Sequence, residues 1–150
     1  MSEHTINLAW KRKTPDFAYE TYDRAHTVMF NGGQTLEMSA APQYLGKEEY
    51  PNPEEMLAAS LSSCHMLTFL AIAAKSRYVV DSYEDEATAI LRKDAQGNMA
   101  VVKIVLKPKV IFSGEKQPDD AQLKGLHEKA GKNCFIETSI KSEVVIEARV

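Results

Sequence analysis

The alternation of apolar and polar positions changes period several times along the chain, and each change marks an element. Residues 6–12 set Ile6, Leu8 and Trp10 against Asn7, Ala9 and Lys11, the two-residue period of a strand. Residues 22–30 alternate again, with Tyr22, Arg24, His26, Val28 and Phe30 on one face. Asn31-Gly32-Gly33 then marks a tight turn, and Gln34 to Ser39 returns as a strand. The first third therefore reads as an antiparallel hairpin or meander. Pro42, Gly46 and Pro51 break the next stretch. At Asn52 the period lengthens. Asn52 is suited to cap a helix, Pro53 fits its first position, and Glu54 and Glu55 suit the positive end of its dipole. Leu57, Leu61, Cys64, Leu67 and Ala71 recur at helical spacing to about Ser76, flanked by Met56, Met66, Phe69, Leu70 and Ile72. A helix apolar most of the way round is central in its domain or shared with a partner chain.

Strands are expected over 84–94 and 99–112, joined at Ala95-Gln96-Gly97-Asn98. A second helix starts from Asp119 or Asp120, runs to about Lys129 and ends at Gly131, leaving Cys134 just beyond. Glu143 to Ala148 reads as a last strand. The predicted order is βββ-α-ββ-α-β. Strands and helices in runs favour an α+β fold with mostly antiparallel sheets around a central buried helix.

Composition narrows this picture. The 150 residues, 44% apolar and 26% charged, suit a single domain spanning 1–150 with one sizeable core. A net charge of −3 argues against nucleic-acid binding through bulk electrostatics. Lys103, Lys107 and Lys109 form a row without interleaved aromatics, as expected of a solvated face. The start, Met1-Ser-Glu-His-Thr, lacks the pattern of a signal peptide. The apolar run Met66 to Ala74 is interrupted by Thr68 and falls short of a membrane span. These features predict a cytoplasmic protein with neither nucleic-acid nor membrane partners. The methionines at 29, 38, 56 and 66 fit core filling, or the lining of an apolar channel.

Two cysteines, Cys64 and Cys134, lie 70 positions apart, too few for a disulfide scaffold and too distant for a zinc ribbon. Cys64 sits mid-helix, where a cysteine is commonly a small buried hydrophobe. A nucleophilic role needs the thiolate. Cys64 is about three turns in, beyond the reach of the helix dipole, so a cation must supply the field. Arg24 is the candidate: it shares a strand face with Val28 and Phe30, and needs an acid partner there unless it snorkels to water. His26 shares that face, where packing explains it.

The run Asn52-Pro53-Glu54-Glu55-Met56-Leu57-Ala58-Ala59-Ser60-Leu61-Ser62-Ser63-Cys64 resembles the signature helix of the OsmC/Ohr family. That family comprises osmotically inducible protein C and organic hydroperoxide resistance proteins. Ala130-Gly131-Lys132-Asn133-Cys134 falls where the family keeps its second cysteine. The resemblance implies a thiol-dependent peroxidase acting on organic hydroperoxides. It casts Cys64 as the peroxidatic cysteine, Cys134 as the resolving one, and Glu54 and Arg24 as the acid and cation of the site. It further implies a Cys64–Cys134 disulfide intermediate, a dithiol reductant of lipoyl type, and an intertwined homodimer, with no cofactor. Three features depart from the family pattern. His65 follows Cys64 where an aromatic is common, Phe135 follows Cys134 where proline is common, and Arg24 lacks a preceding glycine. An OsmC-like subgroup is therefore indicated.

Helix geometry adds a constraint. Glu54 and Cys64 lie about 15 Å apart along one helix and about 80° apart around it, so Glu54 is poorly placed to serve its own Cys64. Two such helices antiparallel across a two-fold bring Glu54 of one chain toward Cys64 of the other. The alternative to an enzyme is a non-catalytic OsmC-like protein holding a small apolar ligand in the dimer cleft. A metal site of Cys64, His65 or His127, and Cys134 would lack paired-ligand spacing. His65 itself points about 100° away from Cys64 and is expected to pack or hydrogen-bond where the helix meets a sheet.

Overall fold

The computed structural model describes residues 1–149. It falls into two compact units, Met1–Met56 and Leu57–Val150. In the first, β1 (Ile6–Ala9), β2 (His26–Phe30) and β3 (Thr35–Met38) form an antiparallel meander in the order β1-β2-β3. The turn at Asn31-Gly32-Gly33 closes with the Gly33 N–H donating to the Phe30 carbonyl at 2.9 Å. Gly33 has φ +82, a conformation that glycine takes without a Cβ penalty. The strands are shorter than their alternation predicts. Residues 10–25 form loops instead, where Trp10, Phe17 and Tyr22 pack on one another with ring centres 5.3–6.3 Å apart.

Helix α1 (Pro53–Lys75) begins as its sequence predicts. Asn52 accepts from the Glu55 N–H through its side-chain oxygen at 2.9 Å, while the Glu55 carboxylate accepts from the Asn52 N–H at 2.9 Å. This reciprocal pair satisfies two otherwise orphaned donors, a cap worth about 1 kcal/mol. The helix stops without a glycine. Arg77 takes φ 63, the Tyr78 N–H reaches back to the Ala73 carbonyl and the Arg77 N–H to that of Ala74, a Schellman ending.

The buried stripe of α1 differs from the predicted one. Ala58, Leu61, His65, Phe69 and Ala73 are buried, whereas Leu67 is 61% exposed. Small side chains at 58 and 73 permit close packing, and one imidazole shares the stripe, so burial follows fit rather than apolarity. By length and composition alone α1 could cross a membrane, although Met66–Ala74 read alone is too short. The core helix of a soluble protein passes the same test.

Four strands, rather than the two predicted, lie between the helices of the second unit: β4 (Val79–Glu84), β5 (Thr88–Lys93), β6 (Met99–Leu106) and β7 (Lys109–Ser113). Pro108 has no N–H to continue a ladder, and it separates β6 from β7. Strand β4 hides its period through a bulge between Val80 and Ser82. It pairs antiparallel with β7, while β5, β6 and β8 (Glu143–Ile146) form a second sheet in which only the β6–β8 pairing is parallel. The lysine row meets acids across that pairing: Lys103 lies 3.2 Å from Glu143 and Lys107 3.8 Å from Glu147.

Helix α2 (Asp120–Asn133) is capped by Asp119, whose side chain accepts from the Gln122 N–H in a capping box. It runs past Gly131, correcting the expected end; its C-cap is Cys134. Gly131 serves a different need. A Cβ there would lie 2.9 Å from both oxygens of the Glu137 carboxylate. The core of this unit has two clusters. One gathers Ala58, Leu61, Ile104, Leu106 and Cys134, and the other Phe69, Ala73, Tyr78, Leu126 and Ala130. The fold is thus α+β with two helices and mostly antiparallel sheets.

Candidate functional site

The predicted site residues fall into two groups, one in each unit. In the second unit the chain brings Cys64 and Cys134 together. Cys64 lies on α1, half-buried, and packs against the cluster in which Cys134 is fully buried. Both are free thiols, and Cys64 is near enough to act on the Cys134 thiol. Burial first, then Cys64, pushes the Cys134 thiol up to about 11. The Glu137 N–H donates to the Cys134 Sγ at 3.4 Å and opposes that rise.

His65, next in sequence to Cys64, is fully buried. Its Nε2 lies 3.1 Å from the Nδ1 of His127 on α2, a buried hydrogen bond between imidazoles. On its other side, His65 Nδ1 stands 3.8 Å from the Glu137 carboxylate. Desolvation keeps both imidazoles from charging, lowering His65 and bringing His127 to about 4, and it raises Glu137. Tyr83 lies beside His127 with its own hydroxyl buried and its ionisation driven upward by burial. Asp85 anchors the near end of this region, accepting from the Ser62 hydroxyl at 2.5 Å and from the Lys107 N–H at 2.7 Å.

Sequence reasoning expected His65 to pack or hydrogen-bond, and it does both. It passed over Glu137, Tyr83 and Asp85. The signal for His65 was its place midway between Leu61 and Phe69, four residues from each on one face. Among the described residues, no three His, Cys, Asp or Glu side chains are grouped to hold a metal ion.

In the first unit, Arg24 and Glu54 line one cavity of about 570 Å³ whose walls include Leu8, Trp10, Phe17 and Tyr22. The Arg24 guanidinium donates to the carbonyls of Tyr22 at 2.8 Å and Tyr19 at 2.5 Å, and lies 4.0 Å from the centre of the Tyr22 ring. Among the described residues no ion pair joins Arg24 to Glu54 within the chain; backbone carbonyls and an aromatic face hold the guanidinium. His26 lies 2.9 Å from the Arg24 carbonyl through its Nδ1, and packs locally as expected.

A helix carrying Cys64, packed against the cluster that buries Cys134 at the end of a second helix, within an α+β fold of this order, places the chain in a defined class of folds. The chain belongs to the OsmC-like protein family, whose sequence pattern matches residues 46–149. An OsmC-like protein of unknown function from Vibrio cholerae has the same fold at a TM-score of 0.95. It is 47% identical, with 99% of this chain and 100% of that one covered. The organic hydroperoxide resistance protein OhrB of Bacillus subtilis shares the fold at a TM-score of 0.70 and 17% identity, covering 99% of this chain and 98% of its own. The uncharacterized protein YmaD of Bacillus subtilis (strain 168) is 25% identical over 118 residues, 78% of each chain.

Proposed function

We propose that this protein is a cytoplasmic thiol-dependent peroxidase that reduces organic hydroperoxides, with its 150 residues working as one OsmC-like domain per chain. The observation that carries the reading is that Cys64 packs against the buried cluster holding Cys134, 70 residues away in sequence, in a family whose fold organic hydroperoxide resistance proteins share. Attack of the Cys64 thiolate on the outer peroxide oxygen breaks the O–O bond. The alkoxide takes a proton and leaves as the alcohol, and Cys64 becomes a sulfenic acid. The Cys134 thiol then displaces that oxygen as water, forming the disulfide. A dithiol reductant, of lipoyl type on the family's pattern, returns both thiols by exchange and leaves as its own disulfide.

Coupled turnover of cumene hydroperoxide with dihydrolipoamide tests this reading. The wild type is expected to turn over repeatedly. Cys134→Ser is expected to complete one turnover and then over-oxidise at Cys64, seen as a gain of two or three oxygens by mass. A wild type no faster than buffer alone overturns the reading.

Arg24 and Glu54 supply the cation and acid of this site in the proposal. Replacing Arg24 with alanine is expected to slow peroxide consumption by about two to three orders of magnitude, the usual worth of a donor aimed at a developing oxyanion. The circular dichroism of the variant should match wild type. An unchanged rate would place the activating cation elsewhere.

The protein is proposed to act as a homodimer. Leu67 on α1, Ile6 and Leu8 on β1, and Met29 and Phe30 on β2 are exposed apolar side chains that a second copy would cover. Sedimentation at micromolar concentration is expected to give twice the chain mass. A folded monomer with full activity would contradict the dimeric site.

A further inference from the structure

The geometry points to a single proton-coupled switch formed by Glu137, His65 and His127. In it, protonating the Glu137 carboxylate inverts both imidazole tautomers and changes His127 Nε2 from a hydrogen-bond acceptor into a donor. This goes beyond the peroxidase reading and does not depend on it.

Three distances carry the inference. His65 Nε2 and His127 Nδ1 are 3.1 Å apart, with ring planes 12° apart and ring centres 5.4 Å apart. That separation fits rings joined edge to edge through one N–H···N bond rather than stacked face on face. His65 Nδ1 and the Glu137 carboxylate are 3.8 Å apart, so a small rotation closes a second hydrogen bond. Among the described residues, His65 Nδ1, His127 Nε2 and this Glu137 oxygen are buried without partners. His65 is fully buried and His127 is 3% exposed. A neutral imidazole has one donor and one acceptor nitrogen, so the tautomer of each ring dictates the other.

Only two arrangements with both rings neutral satisfy the chain. With Glu137 ionised, His65 Nδ1–H points at the carboxylate, His65 Nε2 accepts from His127 Nδ1–H, and His127 Nε2 is left with a lone pair. Add one proton at His127 Nε2. His127 passes its Nδ1 proton to His65 Nε2, and His65 passes its Nδ1 proton to the carboxylate. The product is neutral Glu137 with both rings protonated at Nε2. One proton enters, and no ring becomes charged.

Both His127 and Glu137 border a cavity of about 860 Å³, together with Val110, Phe112, Leu123 and Ile146. The other charged and titratable groups around Glu137 and the histidines are Cys134 at the end of α2, Tyr83 on β4 with Asp85 beyond it, and Asp120, Lys124, Glu128, Lys132 and Arg149 on the cavity wall.

The test is the two-bond nitrogen–proton spectrum of protein labelled with 15N-histidine, kept reduced and followed from pH 8 to pH 4.5. His65→Gln and His127→Gln identify the signals. Both rings are expected to be Nδ1-protonated at the upper end and to convert together to the Nε2 form, staying neutral, with one midpoint. In Glu137→Gln the joint conversion should disappear. Gly131→Ala, which keeps the carboxylate but crowds its oxygens with a methyl 2.9 Å away, should weaken it. Opposite tautomers in the two rings, or an undiminished conversion in Glu137→Gln, would overturn the switch.

Discussion

Cys64→Ser is expected to abolish hydroperoxide consumption, lowering the second-order rate by at least about three orders of magnitude, because the remaining thiol is a poor nucleophile at neutral pH. Cys134 is fully buried, and its thiol sits at about 11. At pH 7 that leaves about one thiolate in ten thousand molecules. Burial, the largest cause of the rise, does not depend on Cys64, so the Cys134 thiol stays above its ordinary value when Cys64 is replaced, even though the contribution of Cys64 is lost. Stopped-flow measurement with cumene hydroperoxide checks this. If Cys64→Ser keeps a tenth of the wild-type rate, Cys64 is not the attacking group. The sign with pH follows from the same burial. Cys134 gains thiolate only as pH rises, so any residual activity of the variant should climb with pH above neutrality, at up to about tenfold per unit.

The fold and the placing of the two cysteines were only partly legible in the sequence. The cap at Asn52, the acidic start of α1 and the second cysteine after α2 are local signals, and each survives in the structure because backbone donors at a helix end must be satisfied wherever the helix packs. The strand count was not legible. Pro108 splits one apparent strand, and a bulge at Val80 interrupts the period of another. The stripe of α1 was read about one position out of phase. Leucines at 57 and 67 outweigh alanines at 58 and 73 in any count of apolarity, while packing selects the small residues. The histidine pair could not be read at all. His65, His127 and Glu137 lie on three elements, and although His65 alone reads as a packed or hydrogen-bonded residue, nothing in its own element announces the other two. Their burial together depends on a glycine at 131 that the sequence offers only as a helix terminator.

Phe69→Ala is expected to cost about 3–5 kcal/mol, the largest stability loss of any single truncation in α1. Phe69 is fully buried, with its ring centre 5.5 Å from Tyr83, 6.4 Å from Phe112 and 4.5 Å from His127. Removing the ring opens a void between α1, the β4–β7 sheet and α2, and strips three aromatic contacts at once. One effect works the other way. Water admitted to the void can hydrogen-bond the unpartnered nitrogens of the histidine pair, which draws the cost toward the lower end. For a chain of this length the loss corresponds to a fall in Tm of about 10–20 °C. Leu67→Ala supplies the contrast, because Leu67 is 61% exposed in the single chain. If nothing covers it, its truncation stays within about 0.5 kcal/mol and the loss is independent of protein concentration. If a second copy covers it, the cost rises to about 2 kcal/mol or more and grows as the protein is diluted. Denaturant titrations of both variants at two protein concentrations therefore separate the core of the chain from the core it would share. A Phe69→Ala protein within 1 kcal/mol of wild type, on the order of experimental error for a core truncation, would mean that the aromatic cluster is not what holds α1 in place.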